Sequence, residues 1–199
     1  NIFYKKDGRA VRTHTGQSLI DVNAAPPPAR DLVDMKRYRP AKGIYRRLPA
    51  TNMITSRGCP FSCNFCSKEV FGSRLRACSP EKTVDEIEGL MRDYRIREVV
   101  FNDDVFTVNK KRIERLCGLL VDRGLDITWS CSTRVNLVTP ELLDLMAKAG
   151  CVSIGYGIEA GDPAVLEKID KGFSLAKAKE SIGWTRKAGI ETRAFYILG

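Results

Sequence analysis

Three of the seven cysteines in this 199-residue chain stand close together, in the segment SRGCPFSCNFCS at residues 56–67. Cys59, Cys63 and Cys66 follow the spacing C-x3-C-x2-C, whereas the single histidine, His14, lies in an irregular N-terminal stretch and is assigned no role. A structural zinc site needs four ligands, usually as two short-spaced pairs, and the sequence offers no second pair. Cysteines that only fill a core spread over apolar faces rather than grouping in a loop with glycine and proline. The spacing therefore favours another kind of metal centre.

A 4Fe-4S cluster suits three grouped cysteines better, because four thiolates normally hold its four irons. A loop that supplies three of them leaves one iron without a protein ligand from that loop, and this iron can bind another molecule. Gly58 permits a tight turn with backbone N–H groups facing the sulfurs, and Arg57 and Lys68 favour thiolate over thiol. The loop is predicted to hold an anionic cluster with one open coordination position.

From residue 51 onward, short apolar runs alternate with helical patterns. The predicted strands cover residues 51–56, 97–102, 126–132, 151–157 and 190–198. Helix start signals stand at Ser79, Asn109, Thr139 and Ser174, and glycine stop signals at Gly124, Gly150 and Gly189. This order predicts an α/β fold, namely a partial, TIM-like parallel β/α barrel of about five β/α units with an irregular N-terminal arm. In such folds chemistry gathers at the C-terminal ends of strands, where the cysteine loop stands.

SRGCPFSCNFC resembles the cluster motif of radical S-adenosylmethionine (radical SAM) enzymes, and GIEAG together with FNDDVF resembles the branch often found behind a cobalamin-binding domain. The resemblance covers residues 51–199. It implies a 4Fe-4S cluster on Cys59, Cys63 and Cys66, whose open iron binds S-adenosylmethionine. One-electron reduction would then yield a 5'-deoxyadenosyl radical that abstracts hydrogen from the substrate. Cobalamin would come from an upstream domain.

The same resemblance suggests five cofactor-binding residues, namely Phe65, Asp103, Ser132, Arg134 and Glu159. Phe65 matches an aromatic position beside the adenine, although an ordinary core phenylalanine is an equal alternative. Glu159 matches an acidic position that accepts hydrogen bonds from both ribose hydroxyls. The third predicted strand ends at Ser132 and Arg134, and the arginine could pair with the cofactor carboxylate or form a surface ion pair.

Asp103 belongs to the segment NDD after the second strand, where the family contacts the methionine amino group, often through backbone carbonyls. Two adjacent carboxylates point in different directions, so at most one of Asp103 and Asp104 is expected to face the site. Capping a helix or stabilising the loop is the expected role of the other.

The formal net charge of +9 raises the question of a nucleic-acid partner. Residues 30–47 contain seven basic and two acidic side chains. This stretch is interpreted as part of a linker or arm over residues 1–50 that packs on an absent neighbouring domain. An RNA or anionic-substrate surface is the alternative. Residues 51–199 are predicted to be a radical SAM core that is incomplete at its C-terminus.

The composition, 43% hydrophobic and 29% charged, is typical of a globular protein, and no apolar run approaches the ~20 residues that a membrane span requires. An odd number of cysteines, most of them single within apolar segments, argues against a disulfide framework and favours a reducing cytoplasm. The expected partners are a small-molecule substrate and a one-electron reductant such as flavodoxin or ferredoxin. The expected reaction is cobalamin-dependent methyl transfer or an oxidative rearrangement. Modification of tRNA by the same chemistry, and a non-catalytic iron-sulfur module for electron transfer or nucleic-acid binding, remain alternatives.

Overall fold

A computed structural model describes residues 3–13, 20–38 and 40–198 of the chain. The strands are β1 (Phe3–Lys6), β2 (Arg9–Arg12), β3 (Ala50–Met53), β4 (Ser56–Arg57), β5 (Arg76–Ala77), β6 (Glu98–Phe101), β7 (Thr128–Thr133), β8 (Cys151–Glu159) and β9 (Glu191–Tyr196). The α-helices are α1 (Pro80–Tyr94), α2 (Lys110–Asp122), α3 (Pro140–Lys148), α4 (Pro163–Lys168) and α5 (Leu175–Lys187). The prediction for His14 falls outside the described residues.

Five strands form one parallel sheet in the order β3-β6-β7-β8-β9, which is also their order along the chain. Each neighbouring pair is joined by a crossover that contains at least one helix. This arrangement confirms the predicted α/β fold with five successive parallel strands. Among the described residues the sheet does not close into a full barrel.

The hydrophobic core lies between this sheet and the helices. Side chains at alternate positions of the strands are fully buried against α1, α2 and α3. The ring of Trp129 on β7 packs edge-on against Phe101 on β6, with 5.6 Å between ring centroids. Its Nε1 donates to the carbonyl oxygen of Ala149 at 2.8 Å, so the buried indole has a partner. None of the described helices combines the length and the apolar character that crossing a bilayer requires.

The predicted helix starts are confirmed at four positions. The side chains of Ser79, Asn109, Thr139 and Ser174 each accept a hydrogen bond from the backbone N–H three residues later. One helix, α4, was not predicted, although the dipeptide Asp162-Pro163 carries its start signal. The carboxylate of Asp162 accepts from the backbone N–H groups of Ala164 and Val165 at 2.8 and 3.0 Å.

The N-terminal arm is more regular than predicted. β1 and β2 pair as an antiparallel hairpin around Asp7 and Gly8, both at positive φ, and short 3-10 turns occupy Arg30–Leu32 and Met35–Arg37. The hairpin could not be predicted from the sequence because four-residue exposed strands carry no apolar alternation. The proposed boundary between an arm and a core at residue 50 stays a prediction.

Several basic residues of the stretch 30–47 form ion pairs with the core. Arg46 contacts Glu191 at 2.9 Å, and Arg47 contacts Asp126 at 2.7 Å. The backbone N–H groups of both arginines donate to Oε2 of Glu98, a fully buried side chain at the start of β6. These pairs reduce the net positive charge of the surface, which weakens the argument for RNA.

Candidate cofactor site

A cavity of about 470 Å³ opens at the C-terminal ends of β7 and β8, beside the cysteine loop (residues 58–75). Its walls include all three cysteines of the motif and four of the five predicted cofactor-binding residues, namely Cys59, Cys63, Cys66, Phe65, Ser132, Arg134 and Glu159. Cys63 is buried, Cys59 half-buried and Cys66 exposed, and all three are free thiols. Side chains up to 100 residues apart in the sequence therefore meet at one place, at the edge of the sheet that the topology predicts.

The cysteine loop is closed at its base by the short antiparallel pair β4–β5, in which Arg57 faces Arg76. Gly58, directly before the first cysteine, has φ of +89°, and a Cβ atom there would lie 2.3 Å from the carbonyl oxygen of Arg74. Only glycine fits both conditions. Within the loop, the N–H of Cys59 donates to the oxygen of Gly72 at 3.3 Å. This hydrogen bond holds the first cysteine against the far side of its own loop.

The loop is also tied to the segment that follows α4. Ser62 Oγ donates to Asp170 at 2.6 Å, and Asn64 donates through its N–H to Ile169 at 3.1 Å and through its side chain to Lys168 at 2.8 Å. These bonds lie on both sides of Cys63. Its position is thus set by residues about 100 positions further along the chain.

Arg134 lies at the floor of the cavity and is only 5% exposed. Its Nη1 donates to the sulfur of Cys63 at 3.1 Å, and its Nη2 donates to the backbone oxygen of Lys171. The guanidinium stacks on the ring of Phe61, with 4.0 Å between Cζ and the ring centroid. The structure therefore brings Arg134 to the site and does not place it in a surface ion pair.

Glu159 ends β8 with φ of +70°, an uncommon conformation for a residue other than glycine and one that often accompanies function. Its Oε1 pairs with Nζ of Lys171 at 2.8 Å, and both side chains are largely buried. The same ammonium lies 5.3 Å from the ring centroid of Phe65. A Cβ atom on Gly157 would lie 2.5 Å from Oε1 of Glu159, so a larger residue there would require this carboxylate to move.

Lys171 was missed by the sequence analysis. No local pattern singles out one lysine in the stretch EKIDKG, and its importance follows from long-range contacts with Glu159 and Phe65. A buried lysine is rare unless it is paired, so its burial is the signal that identifies it.

Asp103 is placed differently from its neighbour. Its buried carboxylate accepts hydrogen bonds from the N–H and hydroxyl of Thr55 at 2.6 and 2.7 Å and from the hydroxyl of Ser56 at 2.6 Å. It is not among the residues that line the cavity, whereas Asp104 is. The carboxylate of Asp103 thus stabilises the segment that leads into the cysteine loop. The geometry favours Asp104, of the two, as the one that faces the site.

The remaining four cysteines lie outside the cavity. Burial raises the pKa of the Cys78 thiol, raises that of Cys117 to about 12, and raises that of Cys151 well above its ordinary value. Such thiols stay protonated at neutral pH and are poor metal ligands. Cys131, like Cys117 and Cys151, is buried in the hydrophobic core. These cysteines fit the packing role expected of them.

Comparison with known proteins identifies the family of this chain. Residues 53–199 match the Radical SAM superfamily. The chain belongs to the radical SAM superfamily. Its similar proteins include an uncharacterised methyltransferase of Pyrococcus horikoshii, 37% identical over 98% of this chain and 42% of that protein. Another is the anaerobic magnesium-protoporphyrin IX monomethyl ester cyclase of Cereibacter sphaeroides, 34% identical over 95% of this chain and 31% of that protein.

The chain spans less than half of the length of these two curated relatives. Among solved structures, it resembles the cobalamin-dependent radical SAM enzyme OxsB with aqua-cobalamin and S-adenosylmethionine bound, at a TM-score of 0.67 and 23% identity over 74% of this chain and 24% of that one. It also resembles the methyltransferase TsrM of Kitasatospora setae with cobalamin and a [4Fe-4S] cluster bound. The TM-score is 0.67 and the identity 21%, over 74% of this chain and 31% of that one. The predicted family and partial-barrel fold are confirmed.

The radical SAM family uses a 4Fe-4S cluster and S-adenosylmethionine, and the residues at the cavity fit them. Within residues 3–13, 20–38 and 40–198, no three histidine, cysteine or acidic side chains converge as they would on a single metal ion. A cluster binds each thiolate to a different iron, so its three donors need not meet at one point. Three free thiols beside one wide cavity, with an arginine directed at a sulfur, match that requirement.

Proposed function

We propose that Cys59, Cys63 and Cys66 ligate a 4Fe-4S cluster whose fourth iron binds S-adenosylmethionine in the same cavity. The observation that supports this most is the shared cavity, which joins three free thiols to the Glu159–Lys171 pair. A bound cluster, once reduced, would supply one electron to S-adenosylmethionine, so that its carbon–sulfur bond would break to give methionine and the 5'-deoxyadenosyl radical.

The protein's own residues would bind and orient the cofactor. Glu159 has a second carboxylate oxygen for the ribose hydroxyls, because only Oε1 is paired with Lys171. Phe65 is 46% exposed at the mouth of the cavity, as an aromatic ring that packs on an adenine requires. Ser132 faces the same space as a small hydroxyl donor. Asp104, rather than the carboxylate of Asp103, would lie near the methionine amino group.

The test of this assignment compares two cysteine variants of the full-length protein after anaerobic reconstitution with iron and sulfide. Cys63→Ala removes a proposed ligand and should lower both the iron content and the reductive cleavage of S-adenosylmethionine to background. Cys78→Ser is the matched control, because this half-buried thiol lies outside the cavity. The control should keep both its iron content and its cleavage of S-adenosylmethionine. Full cleavage by Cys63→Ala would overturn the proposal.

We further propose that the reaction on the substrate is a methyl transfer that uses cobalamin bound by another part of the protein. The support is the similarity to proteins named methyltransferases and the structural likeness to cobalamin-dependent enzymes. An oxidative cyclisation, as named for the Cereibacter sphaeroides relative, is the competing outcome. S-adenosylmethionine with a deuterated methyl group separates the two, since only methyl transfer carries the label into the product.

The electron would come from a small reductant such as flavodoxin or ferredoxin, and seven free thiols suit a reducing cytoplasm. A tRNA substrate is less well supported, because Arg46 and Arg47 pair with carboxylates of the core. Salt-dependent tRNA binding by the full-length protein would revive it.

A further inference from the structure

Arg134 is held in one orientation by contacts on every side. Its Nε lies 3.4 Å from Oδ1 of Asn136, its Nη2 donates to the backbone oxygen of Lys171, and its flat face rests on Phe61. The ring of Phe173 lies 5.8 Å from Cζ. With its plane fixed in this way, Nη1 is directed at the sulfur of Cys63.

The charge of Arg134 is not neutralised by a neighbouring carboxylate. Across the described part of the chain, none of the ion pairs involves Arg134, although Glu159 and Asp104 line the same cavity. Glu159 is paired with Lys171 instead. The acceptors of Arg134 are two neutral oxygens and one sulfur. A buried cation without a carboxylate partner acts most strongly on negative charge close to it, and Cys63 would carry such charge as a thiolate ligand of the proposed cluster.

We propose that Arg134 donates a charge-assisted hydrogen bond to the Cys63 thiolate of the bound cluster and thereby makes the cluster easier to reduce. The inference rests on the proposed function, because it concerns a ligand of the proposed cluster. Reduction adds one electron from the external reductant to the cluster, with no bond made or broken, and increases the negative charge on its sulfurs. A fixed donor and a positive charge beside one sulfur stabilise this reduced form more than the oxidised form.

This role differs from binding the carboxylate of S-adenosylmethionine, which the sequence analysis suggested for Arg134. A bidentate contact with a carboxylate uses two parallel N–H groups of the guanidinium. In the structure one Nη atom already contacts Cys63 and the other contacts Lys171. The two roles predict different experimental results, because the hydrogen bond to Cys63 acts before any S-adenosylmethionine is bound.

The experiment is a redox titration of the reconstituted full-length protein, followed by electron paramagnetic resonance, in the absence of S-adenosylmethionine. Arg134→Gln removes the charge and the directed donor. At a fixed dithionite-set potential, its ratio of reduced to oxidised cluster should fall about tenfold, which is about 59 mV for one electron. Arg134→Lys keeps the charge but lacks the planar guanidinium, so its ratio of reduced to oxidised cluster should fall by less.

A second variant leaves Arg134 itself unchanged and alters only its orientation. Phe61→Leu leaves the guanidinium in place but removes the ring that orients it, and it should shift the ratio in the same direction by a smaller amount. Iron content is measured for every variant. A purely structural role of Arg134 would lower the iron content and leave the potential of the remaining clusters unchanged, and that result would overturn the inference.

The affinity for S-adenosylmethionine supplies the remaining comparison. If Arg134 binds the carboxylate instead, Arg134→Gln weakens S-adenosylmethionine binding and leaves the potential without it unchanged, which also overturns the inference. Failure of the proposed function looks different, since the unaltered protein would then hold no reducible 4Fe-4S cluster at all.

Discussion

Replacement of Gly58 by alanine should disrupt the cysteine loop far more than the same replacement at Gly72. Both glycines have positive φ, +89° and +75°, so each alanine carries a backbone strain of about 1–2 kcal/mol. At Gly72 a Cβ atom meets nothing within 4 Å, whereas at Gly58 it would lie 2.3 Å from the carbonyl oxygen of Arg74. Such an overlap adds about 1–3 kcal/mol, because the backbone itself must move. The difference corresponds to a roughly 5- to 150-fold lower population of the native loop.

The assay is the loss of iron from reconstituted protein during challenge with an iron chelator. Gly58→Ala should lose its iron at least about fivefold faster than Gly72→Ala, in line with the difference in loop population. Thermal unfolding of the two variants should be similar, because the loop lies outside the hydrophobic core. Equal retention of iron by both variants would refute the reasoning that Gly58 is required by the approach of Arg74.

Three further predictions concern the surroundings of the site. Asp103→Ala should lower the free energy of unfolding by about 3 kcal/mol, because three buried hydrogen bonds are lost at about 1 kcal/mol each. A urea titration measures this change, and a loss below about 1 kcal/mol would contradict the prediction. A hydrogen bond from Arg47 holds the pKa of Asp126 below its usual value, so their contact stabilises the fold above roughly pH 4 and is lost as the pH falls further. The hydrogen-exchange protection factors of residues 44–48, which correct for the intrinsic rate at each pH, should fall in that range. Asp126→Asn should show the same loss of protection already at neutral pH. Lys171→Met should weaken S-adenosylmethionine binding more than tenfold, because Glu159 loses its partner. The double variant Lys171→Met with Glu159→Gln should bind S-adenosylmethionine no more weakly than Lys171→Met alone.

The parts of the fold that depend on neighbouring residues could be predicted from the sequence. Helix starts such as Ser79 and Asn109 follow from a side chain that reaches the backbone three residues ahead. The order of strands followed from the alternation with helices, and this placed the cysteine loop at the correct edge of the sheet.

The parts that depend on long-range contacts could not be predicted. The roles of Asp103 and Asp104 are separated only by which of them meets Thr55 across the sheet. Lys171 is identified by its burial against Glu159, and the orientation of Arg134 depends on Phe61. Such pairings arise when distant segments pack, and no local periodicity encodes them.

The bonds between the cysteine loop and the segment after α4 also determine when the loop can take its final form. Ser62 and its partner Asp170 are 108 positions apart. A ribosome must therefore complete four of the five parallel strands, and α4 after them, before the loop has the contacts that fix Cys63. Before that point the three thiols lack these contacts, so the proposed cluster would be inserted after synthesis of this region rather than during it.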